Sequence, residues 1–217
     1  MKMIFGIKKL FLLAKFYFKL HGFIGGVKFA YGLLRSGVEI IYIFKPALDK
    51  IKIELINPKL TFRLIQAPDQ FDLIYNDYSE IRGDFFAQED KRRMRSKKEW
   101  LAIIYKDEIL AGWGWVKFGC FTYGTNKVTE KDCIIHKCRT VRSIRRQRVY
   151  VTLLVKLLND LKEKKVQKVY IGAKDFNYAS LKAIDKIGFR RIEEYNSGNI
   201  FQRINGHIQG HGTKVIS

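Results

Sequence analysis

The sequence predicts a mixed α/β (α+β) fold, and three observations support this. Short apolar runs of strand length alternate along the chain with longer segments whose apolar residues recur at helical spacing. The 217 residues are 47% hydrophobic and 14% aromatic, which is enough for the core of one domain of ordinary size. No internal repeat is visible. We therefore expect one domain, preceded by a helical extension.

The first 57 residues are interpreted as a basic, amphipathic N-terminal extension. Residues 1–20 are apolar apart from spaced lysines, and on a helix Lys8, Lys15 and Lys19 form one narrow stripe. The lysines interrupt this segment too often for a membrane span, and it lacks a signal-peptide cleavage site. Two interpretations stay open: a helix lying on an anionic membrane, or a helix packed on the domain or on a second subunit.

The first half of the remaining chain, residues 58–205, predicts mainly strands. Residues 60–65 have the composition of a strand, and Pro68 offers a helix start. Two apolar runs, 100–105 and 109–118, flank a short polar turn, and this arrangement predicts a β-hairpin. A polar connection then leads to a further strand at 132–141, which is rich in Ile, Cys, Thr and Val.

The second half predicts two helices separated by a strand. Val151, Leu154, Leu158 and Leu161 fall on one face of a helix over 149–161. The elements expected after it are a strand at 168–173, a helix at 177–187, a last hairpin of 189–195 with 200–204, and a loose, flexible tail at 206–217.

The charge of the chain predicts an anionic partner. Forty-one basic residues outnumber 21 acidic ones, for a net charge of +20, and this suits nucleic acid, an anionic membrane or a phosphorylated small molecule. A generally basic background would give the same excess. Residues 91–98 hold six basic residues in eight, which fits a solvated helix face or loop, or a patch for an acidic acceptor.

The cysteines predict a reducing compartment and no metal site. Cys120, Cys133 and Cys138 are odd in number and form no C-x-x-C pair, so a disulfide framework is not expected. His136 and Cys138 lie two residues apart on the predicted strand at 132–141. Two potential ligands without a third do not make a zinc site. We therefore expect a cytoplasmic protein, or one at the inner face of the membrane.

The stretch from Thr140 to Phe189 carries the strongest functional pattern. A strand runs into a basic turn that opens a helix, where the helix dipole and backbone N–H groups favour an anion. The arginines that add positive charge there are Arg139, Arg142, Arg145, Arg146 and Arg148. This pattern predicts a phosphate-rich ligand.

This stretch resembles the GCN5-related N-acetyltransferase (GNAT) superfamily. The family signature, Gln/Arg-x-x-Gly-x-Gly/Ala between the fourth strand and third helix, aligns with Arg145 to Tyr150. Asn177 matches the family asparagine that opens the next helix, and Gly188-Phe189 matches the Gly-Phe that ends it. The resemblance covers about residues 60–204 and is sharp over 132–190. It implies a mixed, mostly antiparallel central sheet flanked by helices.

Four positions depart from the family pattern. Arg148 and Tyr150 replace both signature glycines, which let the backbone approach a pyrophosphate. Ile184 occupies the position where the family often has a tyrosine that acts as general acid. Ile134 occupies the position where the family usually has an acidic residue. The resemblance therefore implies the ligand more firmly than the catalytic groups.

The resemblance implies direct transfer of an acetyl group from acetyl-CoA, as cosubstrate, to an amine. Coenzyme A would place its pyrophosphate at the basic turn and pair its pantetheine arm with the strand end, where a backbone N–H would polarise the thioester carbonyl. Asn177 would bind pantetheine or fix the splayed strands. The residues implied in binding are Cys138, Arg139, Thr140, Arg145, Arg146, Gln147, Arg148, Val149, Tyr150 and Asn177.

The catalytic candidates follow from what the attacking amine requires. Because the amine must be neutral, we expect a base, and His136 is the candidate. Strand alternation predicts that it shares a face with Ile134, Cys138 and Thr140. Ser180, Tyr178 and Tyr150 are candidate acids, and water is an alternative. Cys138 as a covalent nucleophile is the less favoured alternative, because no base and orienting group is evident beside it.

Other functional classes stay open at this point. The acceptor is expected to be a small molecule or an amino sugar on a nucleotide or lipid carrier. A homodimer stays open, and nucleic acid is the less favoured partner. The same fold serves enzymes that take an aminoacyl group from tRNA, and a net charge of +20 suits RNA. A non-catalytic binding module at an anionic membrane is a third class.

Overall fold

The computed structural model describes residues 38–96 and 98–196 and the backbone of 212–215, and a single large sheet organises them. Eight strands pair in the order β10-β9-β1-β8-β7-β4-β3-β2, and β5 and β6 form a separate hairpin. The strands are β1 Val38–Phe44, β2 Leu60–Ile65, β3 Glu99–Lys106, β4 Ile109–Phe118, β5 Phe121–Tyr123, β6 Asn126–Val128, β7 Asp132–Thr140, β8 Lys168–Lys174, β9 Arg190–Asn196 and β10 Gly212–Val215.

Helices cover both faces of this sheet. They are α1 Pro68–Asp72, α2 Tyr75–Arg82, α3 Asp84–Met94, α4 Val149–Glu163 and α5 Tyr178–Ile187. Short 3-10 turns lie at Ile53–Leu55 and Arg142–Ile144. Within the described ranges, none of these helices is both long and apolar enough to cross a bilayer.

The alternation of side chains along the strands divides the core into two layers. On one face, Leu153, Leu157 and Leu161 of α4 pack with Ala102 and Ile104. On the other, the neighbouring β3 residues Leu101 and Ile103 pack with residues of α1, α2 and α3, including Phe71, Tyr78 and Met94. The β5–β6 hairpin covers the same second face over β1, β7 and β8, where Val128 meets Ile41, Ile134 and Tyr170.

Strand β1 corrects the predicted domain boundary. The sequence assigns residues 1–57 to an extension, whereas β1 pairs with β8 on one side and β9 on the other, in the interior of the sheet. Tyr42 and Phe44 join one core layer while Ile41 and Ile43 join the other. Because both faces are buried from Ile40 to Phe44, this part of β1 is a continuous apolar run without alternation, and its sequence resembles the apolar segment before it. The helix expected over residues 1–20 lies outside the described residues.

The carboxyl-terminal part also differs from the expected arrangement. Strand β9 forms as predicted, but residues 212–215, predicted to be part of a loose tail, form β10 and pair with β9. The β-branched Thr213 and Val215 suit a strand at the edge of a sheet. Residues 200–204, predicted to be the return strand, lie outside the described residues. The connection expected at 121–131 contains the β5–β6 hairpin.

Candidate functional site

The site begins where β7 and β8 separate. These two strands pair in parallel from Asp132 opposite Lys168 to Ile135 opposite Ile171, and the described pairing between them ends there. Beyond that point β7 continues along β4 to Thr140, and β8 continues along β1 to Lys174. Beyond this point β7 thus remains paired with β4, and β8 remains paired with β1, but β7 and β8 are no longer paired with each other. The backbone groups that face the gap are therefore available to an inserted ligand.

A β-bulge in β7 changes which side chains face this gap. Trp115 pairs with His136 and Trp113 with Arg139, so Lys137 and Cys138 together lie opposite Gly114. Lys137 takes a left-handed conformation, with φ 54°. A bulge of this kind re-aims the residues beyond it.

The predicted shared face of His136, Ile134, Cys138 and Thr140 is therefore wrong. A Cβ added to Gly114 would lie 2.8 Å from Cys138 Sγ and 3.1 Å from Leu153, so Cys138 faces α4. Thr140 lies opposite Gly112, beside Val149 of α4. His136 stays with Ile134 on the other face, because the extra residue interrupts the period of two that the prediction assumed.

The basic turn adopts an unusual backbone at the start of α4. Arg146 has φ 67°, and Arg148, the residue that caps α4, has φ 61°. The left-handed region costs a non-glycine residue about 1–2 kcal/mol, and Arg148 occupies the position of the first signature glycine. Arg148 makes no side-chain cap hydrogen bond to the helix. The first N–H groups of α4 are thus free of a side-chain cap, as an anion site requires.

The segment before β2 holds this turn in place. Asn57 Nδ2 donates a hydrogen bond of 3.0 Å to the Gln147 carbonyl. The Asn57 N–H donates at 3.0 Å to Thr152 Oγ1, one turn inside α4. The backbone carbonyl of Gln147, a residue predicted to bind the cofactor, therefore accepts a hydrogen bond from within the protein. Gln147 is also not among the described residues that line the cleft beside this turn.

A cleft of about 870 Å³ lies between the end of β7, the basic turn and α5. Its volume is within the range of small-molecule and cofactor sites. Among the residues that the structure describes, six cations and no carboxylate line it: Lys137, Arg139, Arg142, Arg145, Arg146 and Arg148. The other predicted binding residues that line it are Cys138, Thr140, Val149, Tyr150 and Asn177. The structure thus brings together every predicted binding residue except Gln147.

Asn177 caps α5 at the edge of the cleft. Its side-chain oxygen accepts a hydrogen bond of 3.4 Å from the Ser180 N–H. The oxygen is thereby committed to the helix, while the amide nitrogen has donors to offer. Asn177 thus positions the N-terminus of α5 against the cleft.

Tyr150 and Ser180 lie side by side in the cleft, whereas Tyr178 does not. Burial raises the pKa of Tyr150 well above its usual value, and the Ser180 hydroxyl beside it opposes that shift. Tyr178 is 70% exposed and is absent from the described lining. The prediction of Tyr178 as the acid does not fit this position, because its side chain at the start of α5 faces solvent.

Cys138 does not have the properties of a nucleophile. Burial raises the pKa of its thiol to about 12. The thiolate is the reactive form of cysteine, and little of it exists near neutral pH in this environment. Ile134 and Ile184, which replace the family's ionisable residues, are 7% and 0% exposed and belong to the core.

His136 lies beside a carboxylate that the sequence did not indicate. Its Nε2 lies 3.6 Å from Glu99 Oε2, and Arg93 Nε lies 3.4 Å from the same oxygen. Burial lowers the pKa of His136 and Glu99 opposes this, so the net shift is downward. Burial raises the pKa of Glu99, but His136, Arg93 and Lys137 outweigh it and the net shift is downward. The only signal in the sequence was a lone carboxylate at the start of an apolar strand.

Comparisons with known proteins support the fold. No family model and no curated protein matches the chain. Among solved structures, a GCN5-related glucosamine N-acetyltransferase region of a fungal multi-domain GH3 β-N-acetylglucosaminidase has a TM-score of 0.54 and 11% identity, covering 77% of this chain and 21% of that one. A putative GNAT-family acetyltransferase of Novosphingobium aromaticivorans has a TM-score of 0.50 and 10% identity, covering 74% and 62%.

A third similar structure comes from a putative synthetase, in contrast to the two acetyltransferases. It is the C-terminal domain (DUF2156) of a putative lysylphosphatidylglycerol synthetase from Agrobacterium fabrum, with a TM-score of 0.51 and 13% identity, covering 86% of this chain and 70% of that one. At these identities the similarity shows a shared fold. This chain spans less than two thirds of the fungal and Novosphingobium proteins.

Proposed function

From the fold of the GCN5-related N-acetyltransferases, which this chain has, we propose that it is an acyl-CoA-dependent acyltransferase acting on an amine. One observation carries the proposal: β7 and β8 separate directly beside the six-cation cleft at the start of α4. Acetyl-CoA matches both features, because it has a phosphate-rich end and a pantetheine arm with amide groups.

Binding would use the two parts of the cleft differently. The phosphates would meet the first N–H groups of α4 and the guanidinium groups of Arg145 and Arg148, since arginine binds phosphate through paired N–H donors. The pantetheine amides would pair with the free edge of β7 near Cys138 and Thr140. The thioester would then lie near the point where the strands part.

The transfer needs a proton acceptor for the amine and a donor for the leaving thiolate. We assign the first role to His136, whose lowered pKa keeps its imidazole neutral near pH 7. The amine nitrogen would form a bond to the thioester carbon, and a β7 backbone N–H would stabilise the oxyanion. When the C–S bond breaks, Tyr150, beside Ser180, would supply the proton to the thiolate.

The acceptor is proposed to be a small amine or an amino sugar. The glucosamine N-acetyltransferase region with the same fold supports this class. The basic, apolar residues 1–37 suggest that the protein works in the cytoplasm at an anionic membrane surface. Sedimentation with anionic liposomes tests this: the full chain should pellet more than a chain lacking residues 1–37, and equal pelleting contradicts it.

Calorimetric titration with acetyl-CoA tests the proposed function. The wild-type chain should bind acetyl-CoA at micromolar concentrations, and Arg145→Gln should weaken binding at least about tenfold, because it removes a charged hydrogen-bonding partner of phosphate. Lys162→Gln, an equal charge change at the far end of α4, is the matched control and should bind like wild type. No binding by the wild-type chain at high micromolar acetyl-CoA contradicts the proposal.

A second candidate function is transfer of an aminoacyl group from an aminoacyl-tRNA to an acceptor. The similarity to a domain of a putative lysylphosphatidylglycerol synthetase favours it, as does the net charge of +20. Binding of aminoacyl-tRNA that is stronger than that of acetyl-CoA and falls steeply with salt would support this alternative.

A further inference from the structure

We propose that Glu99 is the positioning residue for His136, the group proposed above to accept the proton of the amine. This inference rests on the proposed function, since it concerns how the amine is deprotonated. The motivating geometry is the contact between Glu99 on β3 and His136 on β7, located where β7 leaves β8.

The first step is the position of His136 along β7. Ile135 opposite Ile171 is the last described pair between β7 and β8, so His136 is the first β7 residue beyond the junction. On the same face of β8, Gly172 is the first residue beyond it. His136 therefore lies at the apex of the gap, where the thioester is expected.

The second step is the environment that fixes the imidazole. The Nε2 atom of His136 and the Oε2 atom of Glu99 are both buried, and neither has a standard hydrogen-bond partner at the 3.6 Å that separates them. Arg93 contacts the same carboxylate and also Asp90, and its guanidinium lies 5.2 Å from the centre of the Trp115 ring. The carboxylate is thus held between a helix and two strands.

This arrangement selects one form of the imidazole. A carboxylate beside Nε2 favours the proton on that nitrogen, which leaves the lone pair of Nδ1 to accept a proton. The His136 side chain keeps 23% of its surface exposed although Nε2 is buried. The charged groups that influence it are Glu99 on β3, Arg93 on α3 and its own neighbour Lys137.

The third step is the position of His136 relative to the cleft. Lys137, the next residue of β7, lines the cleft together with Trp113 and Ile81 of α2, whereas His136 is not among the described lining residues. The imidazole would therefore act at the edge of the cleft, beside Lys137.

An alkylammonium acceptor gives one proton to Nδ1 of His136, and the Glu99 carboxylate stabilises the resulting imidazolium. The neutral amine attacks the thioester carbon, a C–N bond forms and the C–S bond breaks. The new amide nitrogen loses a second proton to solvent, the thiolate takes a proton from Tyr150 or water, and solvent reprotonates Tyr150. The imidazolium then returns its proton to solvent.

The experiment compares two amines of similar size with Glu99→Gln protein. Ethylamine is largely protonated at neutral pH, whereas trifluoroethylamine is already largely neutral and needs no deprotonation before it attacks. Glu99→Gln should lower the turnover number with ethylamine by about ten- to a hundredfold, up to the lower end of the range for acid–base groups, because the imidazole itself is retained. It should leave the trifluoroethylamine rate and the acetyl-CoA affinity within twofold of wild type, and it should move the acidic limb of the ethylamine pH profile to lower pH.

Glu108→Gln, the same change in the exposed turn at the other end of β3, is the control and should behave as wild type with both amines. Glu99→Asp should recover part of the ethylamine rate. Equal losses with both amines, or an unshifted profile in Glu99→Gln protein that still binds acetyl-CoA, overturn this inference while the proposed function stands. Wild-type protein that binds acetyl-CoA but acetylates neither amine also overturns it. A wild-type chain that binds no acetyl-CoA contradicts the proposed function itself.

Discussion

At the scale of single residues, the most informative feature is an arginine in a conformation suited to glycine. Arg148, the N-cap residue of α4, has φ 61°, and it lines the basic cleft. A glycine there would remove the backbone strain but would also remove a positive charge. Stability and ligand binding therefore place opposite demands on this position.

Arg148→Gly should raise the stability of the fold and weaken acetyl-CoA binding. We expect a gain of about 0.5–1 kcal/mol in the free energy of unfolding, because relief of about 1–2 kcal/mol of left-handed strain is partly offset by the greater chain entropy of glycine. Urea denaturation and calorimetry measure the two effects. Lys165→Gly relieves a φ of 59° just past the far end of α4 and should gain stability without losing affinity. A loss of stability in Arg148→Gly contradicts the prediction.

Tyr150→Phe should slow acetyl transfer while leaving acetyl-CoA affinity nearly unchanged. The phenol is buried beside Ser180 and is the proposed proton donor, and loss of an acid–base group costs about a hundredfold or more in rate. Steady-state release of free thiol measures this effect. Tyr178→Phe removes an exposed hydroxyl two helical residues from Ser180 and should retain the wild-type rate. Equal rates for the two variants would assign the proton to water.

At the scale of elements, the sequence predicts the site's chemistry better than its geometry. The turn from Arg145 to Tyr150 and the cap at Asn177 could be identified from residue types and spacing, because these properties are local. The side of the sheet occupied by His136 could not, because a single bulge at Lys137 reverses the alternation. Glu99 was missed for a related reason: its partner lies on another strand, and strand registers are set by tertiary packing.

Strand β1 gives an element-scale prediction about truncation. A chain lacking residues 1–57 should fail to fold, because β8 and β9 would lose their shared partner and the core would lose Tyr42 and Phe44. A chain lacking residues 1–37 keeps β1 and should retain a cooperative unfolding transition. Circular dichroism with urea denaturation distinguishes the two. A cooperative transition in the shorter chain would restore the boundary that the sequence suggested.

At the scale of the whole molecule, the net charge of the chain and the positive charge of the cleft are separate properties. Among the described residues, six cations line one cleft, and basic groups elsewhere also form ion pairs, such as Lys91 with Asp72 and Arg82 with Asp90. Positive charge is therefore concentrated at the cleft that is proposed to bind a small phosphorylated ligand. The sequence could give the total of +20 but not this concentration, because the contributing residues come from β7, the turn and the bulge.

The salt dependence of binding follows from this distribution. Acetyl-CoA affinity should fall between low and physiological salt, because cleft cations near the surface are screened over about 8–10 Å at these ionic strengths. Calorimetry at several salt concentrations measures the slope. Arg145→Gln should have a shallower slope than wild type, with Lys162→Gln as the control. An affinity that does not change with salt would show that the phosphates bind elsewhere.

The interior position of β1 also has a consequence for how the chain folds during synthesis. β1 is the first described strand to be made, yet both of its partners, β8 and β9, come from the other end of the described chain. Until the ribosome has released β8 and β9, Ile41, Tyr42 and Phe44 have no sheet in which to pack. Contacts between distant segments slow folding, and exposed strands invite association. The nascent chain should therefore complete its sheet late, and it should depend on chaperones more than a chain whose neighbouring strands pair in order.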